Sequence, residues 1–155
     1  MKNLEVIGLK KNKKVTDALH QLLADYHIYY ANLRGYHWNI KGCGFFSMHA
    51  KFEELYDAAS EEIDVIAERL LQLDEIPENK IDKLALQAKL TAKGQPEPSE
   101  EMIKDVMEDL KYIIAAVRHL VELTDEAGDT VTNDIMMGIL PSLEKKVWMI
   151  NAFRS

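Results

Sequence analysis

Apolar residues recur at three- and four-residue intervals along most of the chain, the spacing that places them on one face of an α-helix. Four long helices are predicted from this pattern, over residues 16–38, 47–73, 99–127 and 129–152. Thr16 or Asp17 is expected to cap the first helix and Ser47 the second, because their side-chain oxygens can accept from free amides at a helix start. Gly128 separates the last two helices, and Pro141 is expected to kink the fourth helix or to lie in a local bulge.

The connection between the second and third helices is the longest in the chain. A short helix is predicted within it over residues 82–89, followed by a break over residues 94–99, which contain two prolines and a glycine. Four long helices with one long crossover predict an all-α, ferritin-like four-helix bundle with a short extra helix in the crossover. A plain four-helix bundle without a metal function has the same helix pattern and stays an alternative.

Length and composition limit the function classes. The 155 residues suit one domain, residues 1–155, with residues 1–14 as a short N-terminal segment. The longest apolar runs fall far short of the roughly 18 residues that a membrane span needs, and the N-terminus lacks a signal-peptide core. A single cysteine agrees with a reducing compartment, so we expect a cytoplasmic protein, either free or associated with the nucleoid.

The charged residues give conflicting predictions about whether the protein binds nucleic acid. The net charge of -7 argues against a surface built throughout to bind phosphate. A basic patch nevertheless lies just before the first long helix and could contact DNA when an oligomer presents it many times; it consists of Lys10, Lys11, Lys13 and Lys14. A solvated tail that only aids solubility explains the same residues equally well.

The second helix carries two stripes of side chains. At about 100° per residue its apolar residues, Tyr56 among them, fall within one arc that should face the core. Four ligand-type side chains lie beside that arc, at roughly 0°, 40°, 60° and 100°: His49, Glu53, Asp64 and Glu68. They form two pairs with four-residue spacing, so both members of a pair can reach one ion, and the mixed donors favour iron, manganese or zinc. The other acids fit a solvated role: Glu54, Glu61 and Glu62.

The two pairs cannot serve one ion within a single helix. Glu53 and Asp64 are 11 residues apart, which separates the pairs by about 16 Å along the helix axis. If two copies of the helix pack antiparallel across a two-fold axis, the His49 end of one meets the Glu68 end of the other. His37 could reach the same centre, because the KGCG turn folds the end of the first helix back beside the start of the second. Two identical sites at a dimer interface are therefore predicted.

The sequence resembles the Dps family (DNA-binding protein from starved cells), the miniferritins of prokaryotes. Three stretches carry the resemblance, YHWNIKG, FFSMHAKFEELY and EEIDVIAERLL, and the helix pattern matches over nearly the whole chain. In the family, two histidines and three carboxylates at this spacing bind iron, which implies five ligands here: His37, His49, Glu53, Asp64 and Glu68. The third ligand is usually aspartate in the family, so the longer Glu53 is a departure that can change how a second metal ion is held.

The resemblance implies a ferroxidase that handles iron as Fe2+ and Fe3+. Such a protein oxidises Fe(II), with hydrogen peroxide in preference to dioxygen, and stores ferric mineral inside a hollow homododecamer, which protects against oxidative damage. The alternative is a nucleoid-associated protein that protects DNA, with iron chemistry secondary. A larger ferritin or a rubrerythrin-type protein fits less well, because its site uses Glu-x-x-His pairs and the chain has none.

Two further roles follow from the resemblance. Trp38, next to the first ligand, matches an aromatic thought to relay electrons from stray oxidant. Acidic residues surround the turn before the fourth helix, where the family has three-fold pores for iron entry: Asp125, Asp129 and Asp134. Ordinary explanations stay open for both, namely an aromatic packed at an interface and acids that cap a helix or lie on the surface. Cys43 is interpreted as incidental.

Overall fold

The computed structural model of the protein describes residues 2–93 and 98–155, and its regular structure within those ranges is entirely helical. The helices are α1 (Asn3–Ile7), α2 (Lys13–Asn39), α3 (Phe45–Gln72), α4 (Ile81–Gln87), α5 (Ser99–Ala127) and α6 (Thr130–Arg154). Helix α2 packs against α3 and α5, and α5 packs against α6, while α4 lies on α2 within the crossover. The predicted four-helix bundle with a short crossover helix is therefore confirmed. Residues 94–97 of the predicted break lie outside the described ranges.

The starts of α2 and α3 differ from the prediction. The side chain of Asn12 accepts from the amides two and three residues on, so α2 begins at Lys13 instead of at the later threonine or aspartate. Helix α3 begins at Phe45, directly after Gly44 in a left-handed conformation (φ 95°). The Ser47 hydroxyl donates to the Gly44 carbonyl and does not cap the helix. A cap that sits a few residues earlier leaves the apolar period unchanged, so the period alone could not locate either start.

The core consists of the apolar faces of the four long helices, as predicted. Tyr29 is fully buried on α2, whereas Tyr56, which the helix period assigned to the core, lies half-buried at its edge, as Tyr30 does. Pro141 lies inside α6, which continues past it as unbroken α-helix. None of the helices in the described ranges is long and apolar enough to cross a bilayer.

The crossover is held to α2 by two buried polar side chains that lie two helical turns apart. Asp25 is fully buried, and one of its carboxylate oxygens accepts from the backbone amides of residues 89 and 90. Asn32 accepts from the amide of Lys93 and donates to the side chain of Asp109. Burial raises the pKa of Asp109 to about 6. These bonds satisfy backbone groups that the crossover, having little regular structure, leaves unpaired.

The N-terminal segment is folded onto the end of α3. Asp74, whose backbone is left-handed (φ 59°), accepts from the amides of Asn3 and Leu4 at 3.0 Å, and so caps α1 from a distant part of the chain. The Asn3 side chain donates to the carbonyl of Leu71. The hydrogen bond from Leu4 lowers the pKa of Asp74. The segment was predicted only as a short extension, because five helical residues carry no detectable period.

Candidate metal centre

A glycine-rich turn brings the ends of α2 and α3 together. Gly42 and Gly44 have φ values of 86° and 95°, which residues with a side chain rarely adopt. The chain therefore reverses within a few residues, and His37 near the end of α2 comes to lie beside His49 in the first turns of α3. Cys43 lies in this turn and is exposed.

The two histidine rings stack and hold each other in place. Their centroids are 3.8 Å apart and their planes are inclined by 18°. Nδ1 of His37 donates to the carbonyl oxygen of His49, and Nδ1 of His49 donates to the carbonyl oxygen of His37, each at 2.8 Å. A carbonyl oxygen only accepts hydrogen bonds, so both Nδ1 atoms must carry the proton. In each neutral ring the coordinating lone pair is then on Nε2, which is how metal-binding histidines are commonly oriented.

The candidate carboxylate ligands lie along the outer surface of α3. Glu53, Asp64 and Glu68 are all exposed, and none forms an ion pair with any cation in the described part of the chain. The described residues also contain no cluster of three or more His, Cys, Asp or Glu side chains that could hold a metal ion. One chain therefore offers two incomplete half-sites, the imidazole pair with Glu53 and, further along α3, Asp64 with Glu68, all of donor types that iron accepts.

Aromatic rings pack around the histidine pair. Phe45 stacks on His49 with centroids 4.9 Å apart, and the rings of Tyr56 and His37 are nearly perpendicular, with centroids 5.4 Å apart. Desolvation, followed by the nearby carboxylate of Glu53, raises the pKa of Tyr56, so its phenol stays protonated at neutral pH. The helix period assigned Tyr56 only to the core, because a wheel for one helix cannot show which side chain of α2 it meets.

Comparisons with known proteins identify the family of this chain. The sequence model of the ferritin-like domain matches residues 16–155. A DNA protection during starvation protein of Porphyromonas gingivalis is 42% identical over 154 residues, covering 98% of this chain and 97% of the relative. The structure of a Dps protein from Vibrio cholerae, described as ferritin-like and diiron-carboxylate, is 35% identical with a TM-score of 0.89, covering 92% of this chain and 90% of that one. The chain belongs to the Dps family.

Other solved Dps structures share the fold over most of the length. Dps from Staphylococcus aureus is 31% identical with a TM-score of 0.89, covering 94% of this chain and 99% of its own. A variant of Listeria innocua Dps, 26% identical with a TM-score of 0.86, covers 90% of this chain and 93% of its own. In that variant two histidines twelve residues apart are replaced by glycine. His37 and His49 of the present Dps chain have the same separation.

Trp38 of this Dps chain lies on the surface beside the histidine pair. Its side chain is 66% exposed. The guanidinium carbon of Arg34 lies 5.0 Å from the centroid of the Trp38 ring and 5.3 Å from that of Tyr30, so one cation contacts both rings. The assignment of Trp38 as an electron relay stays a prediction.

The three acids assigned to an iron-entry pore are in different environments. Asp125 and Asp134 are exposed, whereas Asp129 is only 5% exposed. Asp129 accepts from the Arg69 guanidinium at 2.8 Å and from the amide of Thr132 at 3.0 Å. Asp129 therefore caps α6, which is one of the ordinary roles expected for these acids. Its carboxylate is also held in a buried ion pair, so it is not free to line a pore. Asp125 and Asp134 stay candidates.

The predicted solvated role of Glu62 is wrong. Its carboxylate lies 3.4 Å from the ammonium of Lys146, and the two side chains are only 13% and 12% exposed. Burial raises the pKa of Glu62, while Lys146 opposes that shift. Burial, together with Glu62, also raises the pKa of Tyr26 and Tyr29. The α3 pattern could not reveal this polar pair, because Lys146 reaches it from α6.

Two of the four patch lysines are neutralised within the chain. Lys11 pairs with Glu75 at 2.7 Å, and Lys13 pairs with Asp17 at 2.6 Å. Lys13 and Lys14 also form the first turn of α2 instead of preceding the helix. The basic patch therefore offers less free positive charge than the sequence indicates.

Proposed function

We propose that this Dps chain oxidises Fe(II) at sites shared by two subunits and stores the ferric product inside a hollow dodecamer. Each site takes His37, His49 and Glu53 from one subunit, with Asp64 and Glu68 from its two-fold partner. Two ferrous ions, one hydrogen peroxide and two protons give two ferric ions and two waters, and dioxygen is the slower oxidant. The reaction consumes both of the species that would otherwise generate hydroxyl radical.

The reciprocal hydrogen bonding of His37 and His49 carries this proposal. It fixes two imidazoles side by side with both Nε2 lone pairs uncommitted, which suits ferrous iron. The exposed carboxylates of α3 add negative charge, and negative charge stabilises Fe(III) more than Fe(II) because the attraction grows with the charge on the ion. A bundle stabilised only by its core has no need of either feature.

Assembly is supported by what a single chain leaves exposed. Large apolar side chains lie on the surface toward the end of the bundle where α2 and α6 finish and α3 begins, among them Trp38, Phe46, Trp148, Met149 and Phe153. Solvent-exposed apolar groups on this scale are typical of protein–protein interfaces. The separation of the two half-sites along α3 requires a second copy for a different reason, since one chain cannot complete the ligand set.

The test is to load the protein with Fe(II) without oxygen and then add hydrogen peroxide. We expect a rapid rise in near-ultraviolet ferric absorbance, with two Fe(II) consumed per peroxide, and a slower rise when air replaces peroxide. Analytical ultracentrifugation on the same sample measures whether a dodecamer is present. An absorbance rise no faster than that of Fe(II) and peroxide in buffer would refute the proposed activity.

Protection of DNA is a second candidate function, because several relatives are named for it. We expect weak, salt-sensitive DNA binding, since Glu75 and Asp17 neutralise Lys11 and Lys13. The double variant Glu75→Gln, Asp17→Asn should bind DNA more tightly. Its plot of log affinity against log salt should steepen by about 2, because each further lysine on a phosphate contributes roughly one unit of slope.

Gel retardation across a salt series measures this slope. The matched control is Glu101→Gln with Glu108→Gln, which frees Lys104 and Lys111 on α5 and changes the net charge equally. Equal gains in both double variants would show that net charge and not the N-terminal patch controls binding. No retardation of any variant, even at low salt, would remove the DNA-binding proposal.

A further inference from the structure

Exposed apolar residues lie at both ends of the stripe of α3 that carries the candidate ligands. Phe46 is 88% exposed and Leu71 is 51% exposed. At about 100° per residue they lie at roughly 60° and 40° from His49, inside the arc of about 0° to 100° that holds the ligands. The single chain therefore exposes two large apolar side chains on the surface where a second subunit is proposed to bind.

The two apolar residues have matching positions relative to the carboxylates. Phe46 lies seven residues before Glu53, and Leu71 lies seven residues after Asp64. Seven residues make nearly two helical turns, so each apolar residue shares a face with its carboxylate, about 10 Å further along the axis. An antiparallel pair of α3 helices that brings Glu53 to Asp64 of the partner subunit therefore also brings Phe46 to the partner's Leu71. Iron binding does not require this second match, so it supports the same register independently.

The same register also matches the remaining residues of the stripe by size and chemistry. It places Ala50 opposite Ala67 of the partner subunit, and two small side chains allow the helix backbones to approach closely. It places Ser60 opposite the partner's Asp57, whose carboxylate can accept a hydrogen bond from the hydroxyl. The like charges that it brings together are those of the central carboxylate pair, where the metal ion is proposed to bind.

Contacts within the chain connect Phe46 to a candidate ligand. The rings of Phe46 and Phe45 are nearly perpendicular, with centroids 5.3 Å apart, and Phe45 stacks on His49 at 4.9 Å. At the other end of α3, the carbonyl oxygen of Leu71 accepts from the side chain of Asn3 at 3.0 Å, so the docked N-terminal segment supports this end of the helix. A side chain that packs on Phe46 from outside would therefore restrict Phe45 and, through it, the His49 ring.

We propose that Phe46 of each subunit packs against Leu71 of the partner subunit, and that this contact positions His49 beside the partner's Glu68. The inference rests on the proposed sharing of each iron site by two subunits. Phe46 is a positioning residue, because it touches no iron and acts on His49 through Phe45. The contact occurs twice in a dimer, once beyond each site, so it fixes the register of the two α3 helices.

Charge substitutions test the contact in metal-free protein. Phe46→Glu or Leu71→Lys alone buries an unpaired charge against the partner, so the subunit concentration at half-assembly should rise more than about tenfold. Combining them sets opposite charges face to face at both contacts and should recover most of this loss. The recovery can come only from contacts between chains, because the two residues of one chain lie about 37 Å apart along α3. Phe46→Lys with Leu71→Lys is the matched control with like charges and should recover nothing.

Analytical ultracentrifugation over a dilution series measures this concentration. Both side chains are exposed in the chain, so their replacement leaves the core of the bundle unchanged. If the opposite-charge and like-charge double variants assemble equally, Phe46 does not contact Leu71 of the partner subunit.

The positioning role is tested on assembled protein by the Fe(II) dependence of peroxide-driven oxidation. Phe46→Ala should raise the Fe(II) concentration at half-maximal rate about tenfold, with the rate at saturating Fe(II) within about twofold of the parent. Leu71→Ala should have the same effect, and the two together should raise it no further, because both remove one contact. Phe46→Leu should behave like the parent. Val65→Ala, which truncates an exposed apolar residue of α3 outside the stripe, should also behave like the parent.

The outcomes separate this inference from the proposed function. If the parent oxidises iron but the effects of Phe46→Ala and Leu71→Ala multiply in the double variant, the two residues act separately and the inference is wrong. Parent-like iron dependence in both alanine variants also overturns the positioning role. If the parent forms no ferric product, the proposed function fails, whereas the assembly of the charge variants still decides whether the contact exists.

Discussion

Replacing Asp64 or His37 by asparagine should slow peroxide-driven Fe(II) oxidation by more than about tenfold, since even outer-shell partners of metal ligands typically contribute that much. Asp64 is exposed, so Asp64→Asn removes a charged oxygen donor without disturbing the core. His37→Asn can keep an N–H close to the position of Nδ1, so the bond to the His49 carbonyl can persist while Nε2 is lost. The initial rise of ferric absorbance measures the rate, and Glu61→Gln is the exposed control on the same helix.

Mixing the two slow variants tests whether the site is shared between subunits. In a dimer of one His37→Asn chain and one Asp64→Asn chain, one site carries both substitutions and the other carries neither. Random co-assembly places about half of the dimers in this class, so about a quarter of all sites regain the full ligand set. We therefore expect the mixture to recover about a quarter of the parent rate, although each variant alone is slow.

The mixture must be unfolded and refolded together, and each variant refolded alone is its control. A mixture no faster than the mean of these two controls would show that the ligands of one site come from one chain. That result would overturn the two-fold arrangement while leaving His37 and Asp64 as functional residues. Recovery in the mixture cannot be explained by a general effect on folding, because both variants would carry that effect into every dimer.

The long helices could be predicted because each one buries an apolar face, and a buried face leaves its period in the sequence. Their starts could not, since a cap depends on a single side chain or a single left-handed residue. Asn12 and Gly44 fix the starts of α2 and α3 without changing the period. The same limit applies to α1, which is too short for a period and is capped by Asp74.

The polar interior was hidden from the sequence for a different reason. Asp25 and Asn32 bind backbone groups that are about 60 residues away, at separations of 64 and 61 residues. Glu62 meets Lys146 from a helix whose register no local pattern fixes. The position of a charged residue on its own helix does not show whether a neighbouring helix buries it or solvent surrounds it. Tertiary partners therefore decided the roles of Glu62, which pairs with Lys146, and of Asp129, which pairs with Arg69.

The candidate site was more accessible to sequence reasoning, because helix geometry alone fixes which ligands share a face. The spacing from His49 to Glu68 predicted two half-sites that one chain cannot close, and the described residues of one chain contain no closed cluster. The spacing could not predict that the His37 and His49 rings would lock each other's tautomers, since that depends on the geometry of the turn.

Arg69→Met should lower the free energy of unfolding by about 3–5 kcal/mol, because it leaves the Asp129 carboxylate buried without its cation. Arg69 is 3% exposed, and it donates to Thr132 and to Asp129, both at 2.8 Å. These bonds tie the end of α3, which carries Glu68, to the turn between α5 and α6. Urea unfolding at one fixed protein concentration gives the measurement, since assembly makes stability depend on concentration.

Arg118→Met is the matched control, because Arg118 pairs with Glu144 in a bridge whose side chains are 61% and 51% exposed. It should cost less than about 1 kcal/mol, as exposed pairs do. Combining Arg69→Met with Asp129→Asn should recover part of the loss, since a neutral asparagine still accepts from the Thr132 amide and caps α6. If the double variant regains no free energy of unfolding, the cost of Arg69→Met comes from the lost packing and hydrogen bonds of Arg69. If Arg69→Met and Arg118→Met lower the free energy of unfolding equally, the buried pair has no special stabilising role.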